Sequence, residues 1–271
     1  VISEIISCFS QKPVFGYRSM VYASMMIAFV GYLVWGHHMF VSGQSDWAMI
    51  VFSFLTFLVA IPSGVKVFNW VSTMHKGAID LQPPMLYALG FIFLFCIGGL
   101  TGLVNGALAT DVHIHDTYFV VGHFHYVMFG GTGFAFFAGM HYWFPKMFGK
   151  MYNKKTSVVA WFHIFIGFNM FYFTMLILGI AGMPRRYYDY LPQFHLMHMI
   201  ASIGAWIMVA GLLMMIANLV KALFTGPKAP DNPWHGATLE WKVPSPPPLE
   251  NFEKIPTVKG GPYNYSAREE K

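Results

Sequence analysis

The chain has 271 residues, 56% of them hydrophobic, 18% aromatic and only 11% charged. A soluble globular domain carries about 25% charged residues, so this composition excludes one and points to an all-α membrane protein. The formal net charge of +5 calls for no nucleic-acid partner, and the two cysteines, Cys8 and Cys96, exclude a disulfide framework and read as packed side chains.

The sequence opens at Val1 with no signal peptide ahead of it, as a fragment or a cleaved product would. Six apolar segments follow: Ser19–Trp35, Trp47–Val71, Met85–Ala109, Tyr118–Phe144, Val158–Met183 and Leu196–Val220. Each is close to the ~20 residues that cross the hydrocarbon core as a helix. Trp35, Trp47, Trp70 and Trp143 stand at segment ends, where interfacial aromatics belong. If the six alternate in direction, Lys12, Arg18, Lys76, Lys146, Lys150, Lys154, Lys155 and Lys221 share one side, and Asp46, Asp111, Asp116 and Asp189 lie opposite. The basic side is the inner one, with both termini inside.

The first segment ends at His37-His38. Adjacent residues diverge by about 100° on a helix, so the two imidazoles reach one copper or zinc ion only if the ion sits between them or the helix is distorted there. The second segment carries Lys66, the only Lys, Arg, Asp or Glu in the six. It lies about 8 Å from the inner end of its helix, with Ser63 one turn away and Pro62 loosening the backbone ladder. Snorkelling to the inner headgroups and a proton path entered from inside both fit that position. The loop before the fourth segment, Asp111-Val112-His113-Ile114-His115-Asp116-Thr117, offers an imidazole and a carboxylate together at His115 and Asp116, a combination suited to a hard cation.

The fourth segment holds His123 and His125, which point about 200° apart on a helix. They cannot share a small ion, but each can grip a separate large cofactor, as an axial imidazole grips haem iron. Helix-packing histidines bonded to neighbouring carbonyls are the plainer reading. Beyond the fifth segment, Arg185 and Arg186 break the charge rule in an outer loop; they suit anionic groups such as haem propionates, or simple pairing with Asp189 or Asp111. Residues 225–271 are proline-rich and read as an extended tail on the inner face, distinct from the helical part, residues 1–224.

Four stretches, Trp35-Gly36-His37-His38-Met39-Phe40, Ile61 to Trp70, His115 to Val127 and Gly182-Met183-Pro184-Arg185-Arg186-Tyr187, resemble subunit I of cytochrome c oxidase in the haem–copper oxidase superfamily. The likeness runs from Val1 into the tail at Thr238-Leu239-Glu240-Trp241 and Pro244 to Pro248. The resemblance implies six helices matching the last six of a twelve-helix subunit. It implies that His37 and His38 bind copper, that His123 ligates a high-spin haem and His125 a low-spin haem, and that Phe124 lies between the haems. His115 and Asp116 would contribute to a magnesium or manganese site, Asp111, Arg185 and Arg186 would attend the propionates, and Lys66 with Ser63 would belong to a proton pathway. Gly122 stands where many members have alanine, a change expected to be harmless.

The implied activity is reduction of O₂ to water with electrons from cytochrome c, coupled to proton pumping, in a bacterial cytoplasmic membrane or a mitochondrial inner membrane. The implied cofactors are two haems of type a, copper and magnesium; the implied partners are the N-terminal half of subunit I, oxidase subunits II and III, and membrane lipids. The segment carrying the third copper histidine and the N-terminal helix bearing the second low-spin haem histidine both belong to the half not resembled, so this chain cannot complete the catalytic site alone. A quinol-oxidising member of the superfamily and a non-catalytic half-subunit acting as scaffold are the alternatives.

Overall fold

The computed structural model describes residues 1–252, 255–258 and 261–265; the rest of the expected tail lies outside the described residues. A short amphipathic helix, α1 (Ile2–Ser10), precedes the first apolar segment and buries Ile2, Ile5, Ile6 and Phe9. No segment is expected there from hydropathy, because its apolar stripe is too short to cross a membrane.

Helices α2 (Tyr17–Tyr32) and α3 (Asp46–Met74) form an antiparallel pair. Polar side chains stitch them at several depths. Asn69 Nδ2 donates to Ser19 Oγ at 2.8 Å and Lys66 Nζ to Ser24 Oγ at 3.2 Å, while in the connection between the helices Gln44 Nε2 donates to the Gly36 carbonyl at 3.1 Å. Between the helices, Trp35–Met39 is wound as a 3₁₀ turn. Gly36 is required there, since a Cβ on it would stand 2.4 Å from the Phe52 ring.

Helix α4 (Pro83–Gly106) leads through a short helix, α5 (Leu108–Ile114), into a helical run spanning residues 118–148. That run is α6 (Tyr118–Val127), a π-helical turn over Met128–Gly133, and α7 (Phe134–Phe148). The π turn coincides with Gly130-Gly131, and Gly130 backs so closely onto α4 that a Cβ would lie 2.8 Å from Leu94 Cβ. Helices α8 (Lys154–Ile180) and α9 (His195–Thr225) form the most extensive pairing in the molecule. Gly167, Gly204 and Gly211 make it possible: a Cβ on any of them would come within 2.8 Å of backbone nitrogen on the facing helix. Small residues at crossing points are how helices gain dispersion contacts where lipid removes the hydrophobic drive.

Among the described residues five helical stretches are long and apolar enough to cross a membrane: Tyr17–Met39, Asp46–Met74, Pro83–Gly106, Lys154–Ile180 and Pro192–Thr225. The expected fourth segment is helical throughout, but its π turn divides it into two shorter α-helices.

Residues 226–252 carry one 3₁₀ turn, Leu239–Lys242, and fold back against α7. Trp234 and Trp241 are buried and converge on Tyr142, the first donating to its carbonyl at 2.8 Å and the second to its hydroxyl at 2.7 Å. Lys146, only 5% exposed, donates to the carbonyls of Asp231 at 2.9 Å and Val243 at 2.6 Å.

Candidate functional site

Helix α6 is packed between α4 and α8, and its two histidines face those two neighbours. On the α4 side, His123 Nδ1 lies 3.0 Å from the Gly98 carbonyl and 3.1 Å from Thr101 Oγ1. A carbonyl can only accept, so Nδ1 carries the proton and Nε2 keeps a lone pair. Gly102, on the same face of α4, makes room for the ring: a Cβ there would stand 3.0 Å from His123 Cε1. On the α8 side, His125 stacks on Tyr172 with centroids 4.2 Å apart and rings 16° from parallel, and its Nδ1 donates to the Val121 carbonyl at 2.9 Å.

This back-bond to a carbonyl four residues earlier is common to helical histidines here; His141 and His163 make it too. The other nitrogen separates His141 from the other two. His141 Nε2 is engaged by Ser157 at 3.2 Å. Phe124 bridges the two sides, stacked on His125 at 4.4 Å and lying 6.0 Å beneath the Arg185 guanidinium.

The 3₁₀ turn is the distortion that His37-His38 needs, and it swings their Nε2 atoms to 3.1 Å from one another. Two imidazoles about 2.0 Å from one ion and about 100° apart have that separation. The tautomer of His37 is fixed from behind. Thr56 spends its hydroxyl proton on the Phe52 carbonyl at 2.6 Å, so it accepts from His37 Nδ1 at 2.9 Å, which leaves Nε2 as a lone pair. His37 is within electrostatic reach of His123, and His38 of Asp111, His115 and Arg185. His37, His38, Asp111, His115, His123 and Arg185 therefore lie in one neighbourhood.

Their pairing differs in detail from the sequence expectation. Helix α5 places Asp111 and His115 on one face, and His115 Nδ1 bonds Asp111 Oδ2 at 2.9 Å rather than standing free with Asp116. Burial pushes the Asp111 carboxyl up from the usual carboxylate range, while the hydrogen bond from His115 pulls against that shift. Asp116 adopts a left-handed φ of 53° and turns toward Arg185, whose Nε lies 3.8 Å from Asp116 Oδ1 and whose amide donates to the Asp116 carbonyl at 2.9 Å. Arg186 is exposed. Among the described residues no three His, Cys, Asp or Glu side chains gather to hold a metal, so neither His37 with His38 nor His115 with Asp116 is a complete coordination sphere.

Lys66 is half-buried, donates to Ser24 Oγ and lies 5.3 Å from the centroid of Trp70. Ser63 instead turns its hydroxyl back to the Val59 carbonyl at 2.9 Å. Ser24 sits far from Lys66 in sequence on a different helix, and no local spacing signals it. Asn105 also escapes sequence reasoning: it continues the α4 face of Gly98 and Thr101, and both its amide atoms are buried without a hydrogen-bond partner. The Gly122 position is not neutral in this packing. A Cβ there would lie 2.8 Å from Leu176 Cδ2 and 3.0 Å from the Tyr172 carbonyl, so alanine demands that α8 yield.

The family described as "Cytochrome C and Quinol oxidase polypeptide I" matches residues 1–207. The chain is 46% identical to cytochrome c oxidase subunit 1 of Synechocystis sp. over 98% of its own length and 48% of that relative. It is 43% identical to the subunit of the same name from Thermostichus vulcanus, again over 98% and 48%, and 45% identical to that of a Bacillus species over 96% and 43%. The chain thus spans about half the length of the curated relatives it matches. Its fold is similar to one chain of a haem–copper terminal oxidase dimer solved by cryo-electron microscopy, with a TM-score of 0.70 at 24% identity over 80% of this chain and 44% of that one. With the family match spanning residues 1–207, this chain belongs to the cytochrome c and quinol oxidase polypeptide I family.

Proposed function

We propose that this chain is the C-terminal half of the catalytic subunit of a terminal respiratory oxidase that reduces O₂ to water with electrons from cytochrome c and pumps protons. One observation carries the reading: His37, His123 and His125 each commit Nδ1 to an internal acceptor and present Nε2 as a lone pair, with His38 Nε2 beside that of His37. That is how a protein orients imidazoles toward metals. The donor set fits its groups: one neutral imidazole on each side of α6 suits two haem irons, and two nitrogens at cis spacing suit copper. When bound, haem and copper supply the electron storage and oxygen-binding face that side chains lack.

The chain's own residues do the rest. His123 and His125 hold two planar groups on opposite faces of one helix, and Phe124 fills the space between those faces. Arg185 and Arg186 neutralise carboxylates at the outer face, with Asp116 holding Arg185 in place. Buried Asp111, bonded by His115, lends an acceptor and a second charge to the same layer, where His115 and Asp116 supply part of a magnesium or manganese site. Lys66, docked on Ser24 and near Ser63, carries protons inward from the basic side. We count the run 118–148 as the sixth span and place residues 225–271 as the inner tail, in a bacterial cytoplasmic membrane. Missing ligands come from the N-terminal half, on the same or a separate chain, with subunits II and III as neighbours. Cytochrome c rather than quinol is taken as donor because the three relatives above are named for it.

The test uses the native complex purified through this chain. Reduced-minus-oxidised and carbon monoxide difference spectra, with copper quantified, should show two haem environments, one binding carbon monoxide. His123→Leu should abolish the carbon monoxide band and His125→Leu the other haem's band. A complex with neither haem nor copper, or variants with unaltered spectra, would refute the assignment and leave the scaffold role.

A further inference from the structure

Beside the start of α6 lies a cluster of tyrosines and histidines that the proposed chemistry does not use. Backbone contacts hold it together. Tyr118 N–H donates to the Met183 carbonyl at 2.9 Å, and Thr117 and Pro184 form an isolated antiparallel bridge, so the loop after α8 is held against α6. Tyr118 Oη donates to Tyr187 Oη at 2.9 Å. Tyr187 meets the Tyr190 ring edge-on, with centroids 6.0 Å apart. Tyr190 ends the series, its hydroxyl 3.0 Å from Nδ1 of His195, the first residue of α9. His198, one turn further on α9, lies against all three tyrosines. Its ring centroid is 4.1 Å from that of Tyr190 and 5.6 Å from those of Tyr118 and Tyr187.

Tyr190 differs from the buried tyrosines in its acceptor. Tyr87, Tyr126 and Tyr152 donate to the sulfur of Met215, the amide oxygen of Asn169 and the His141 carbonyl, none of which is a base. An imidazole is one, and 3.0 Å is within the reach over which a proton transfers along a hydrogen bond. With its own proton on Nε2, His195 accepts from Tyr190 at Nδ1. His195 is exposed and can exchange protons with water, while Tyr190 is half-buried. A phenol that loses an electron becomes strongly acidic, so a tyrosine is oxidised reversibly where a base waits on its hydroxyl.

Tyr118 connects this pair to the cofactor side. It precedes His125 by two turns of α6, so the two lie within about 20° of one another around the axis and about 10 Å apart along it. From Tyr118 outward, each ring touches the next at distances typical of packed aromatic pairs. We propose that Tyr190, with His195 as its proton acceptor, is a redox-active tyrosine that gives an electron through Tyr187 and Tyr118 to the haem on His125 when oxygen reduction outruns electron supply. The oxidant is the oxygen-derived oxidising equivalent that the proposed reaction leaves at its metals. The electron leaves the Tyr190 ring, the Oη–H bond breaks, and the proton forms an N–H bond at His195 Nδ1. A neutral tyrosyl radical and an imidazolium result. One electron from the oxidase's own donor and return of the proton restore both. This inference rests on the reading of His125 as a haem ligand.

The test treats the oxidised native complex with hydrogen peroxide, freezes it quickly and reads radicals by high-field electron paramagnetic resonance, beside reduced-minus-oxidised haem spectra of the same sample. Wild type should show a tyrosyl component whose oxygen is hydrogen-bonded by an exchangeable proton, seen as a proton coupling that disappears in heavy water. Tyr190→Phe should lose that component. His195→Gln, which keeps a hydrogen-bonding group but no base, should lose it as well, and Tyr187→Phe should lower its yield. Tyr188→Phe, at a fully exposed neighbour, should leave it intact. Oxygen consumption with ample donor should match wild type in all four variants. The same component in Tyr190→Phe, or an undiminished one in His195→Gln, would overturn the proposal, while normal haem bands in those samples leave the oxidase reading standing. A complex without haem bands would overturn both.

Discussion

Gly179 is the tightest point between the histidine helix and its neighbour. A Cβ on Gly179 would stand 1.9 Å from the amide nitrogen of Phe119 and 2.5 Å from its Cα, against an ordinary contact of 3.4 Å or more. Both partners are backbone, so no flexible side chain can move aside, and Gly179→Ala requires α6 and α8 to separate by about 1.5 Å. Overpacking a formed core costs about 1–3 kcal/mol, and the absence of a yielding partner puts this substitution at the upper end. For a chain of this size, about 3 kcal/mol lowers the melting temperature by roughly 6–12 °C. Thermal unfolding of the detergent-solubilised complex followed by circular dichroism measures the shift. Gly99→Ala is the control, because no atom lies within 4 Å of the Cβ it would add. A Gly179→Ala complex that melts with wild type, or a Gly99→Ala complex destabilised as much, refutes the packing argument.

Lys66→Met should leave the haem spectra intact yet cut steady-state oxygen consumption sharply, and unaltered consumption removes Lys66 from the proton path. Ser24→Ala deprives that ammonium of its acceptor and should slow turnover by about fivefold, the value of one ordinary hydrogen bond of about 1 kcal/mol. A fall as deep as that of Lys66→Met would mean that Ser24 carries protons itself. Lys146→Met strands the carbonyls of Asp231, Val243 and Pro244, which costs about 1–3 kcal/mol. Limited proteolysis between Ala229 and Val243 should accelerate in that variant, and equal cleavage rates would show that Lys146 does not anchor the tail.

The parts of this architecture that sequence exposes are those where chemistry contradicts its surroundings. His123, His125 and Lys66 stand out because polar side chains in an apolar run are costly without a purpose. Apolar length alone located the five long helices, but not α1 or α5. What stayed hidden depends on partners distant in sequence or on local winding. Nothing near Lys66 announces Ser24, which reaches it only because α2 and α3 pair. The copper-type spacing of His37 and His38 requires a 3₁₀ turn that adjacent histidines do not encode by themselves. Pairing His115 with Asp116, by adjacency, overlooks that α5 is a helix, which offers Asp111 one turn earlier and frees Asp116 for Arg185.

The π turn at Met128–Gly133 sets the rotational phase of everything after it. One buried stripe on this run recurs every fourth position, at Gly122, Tyr126, Gly130, Phe134, Ala138 and Tyr142, with Phe119 three before the first. In an unbroken α-helix that stripe would drift, leaving Tyr142 about 140° around the axis from Phe119. One extra residue accommodated in a π turn takes back about 100°, so the two ends differ by only about 40°. Removing a single glycine from the turn would rotate α7 as a block, carrying His141 and Tyr142 away from Ser157, Trp234 and Trp241 while leaving the histidines of α6 where they are. The parts of this helical run before and after the turn, α6 and α7, are thus independently adjustable in angle, and the glycine pair is where that angle is set.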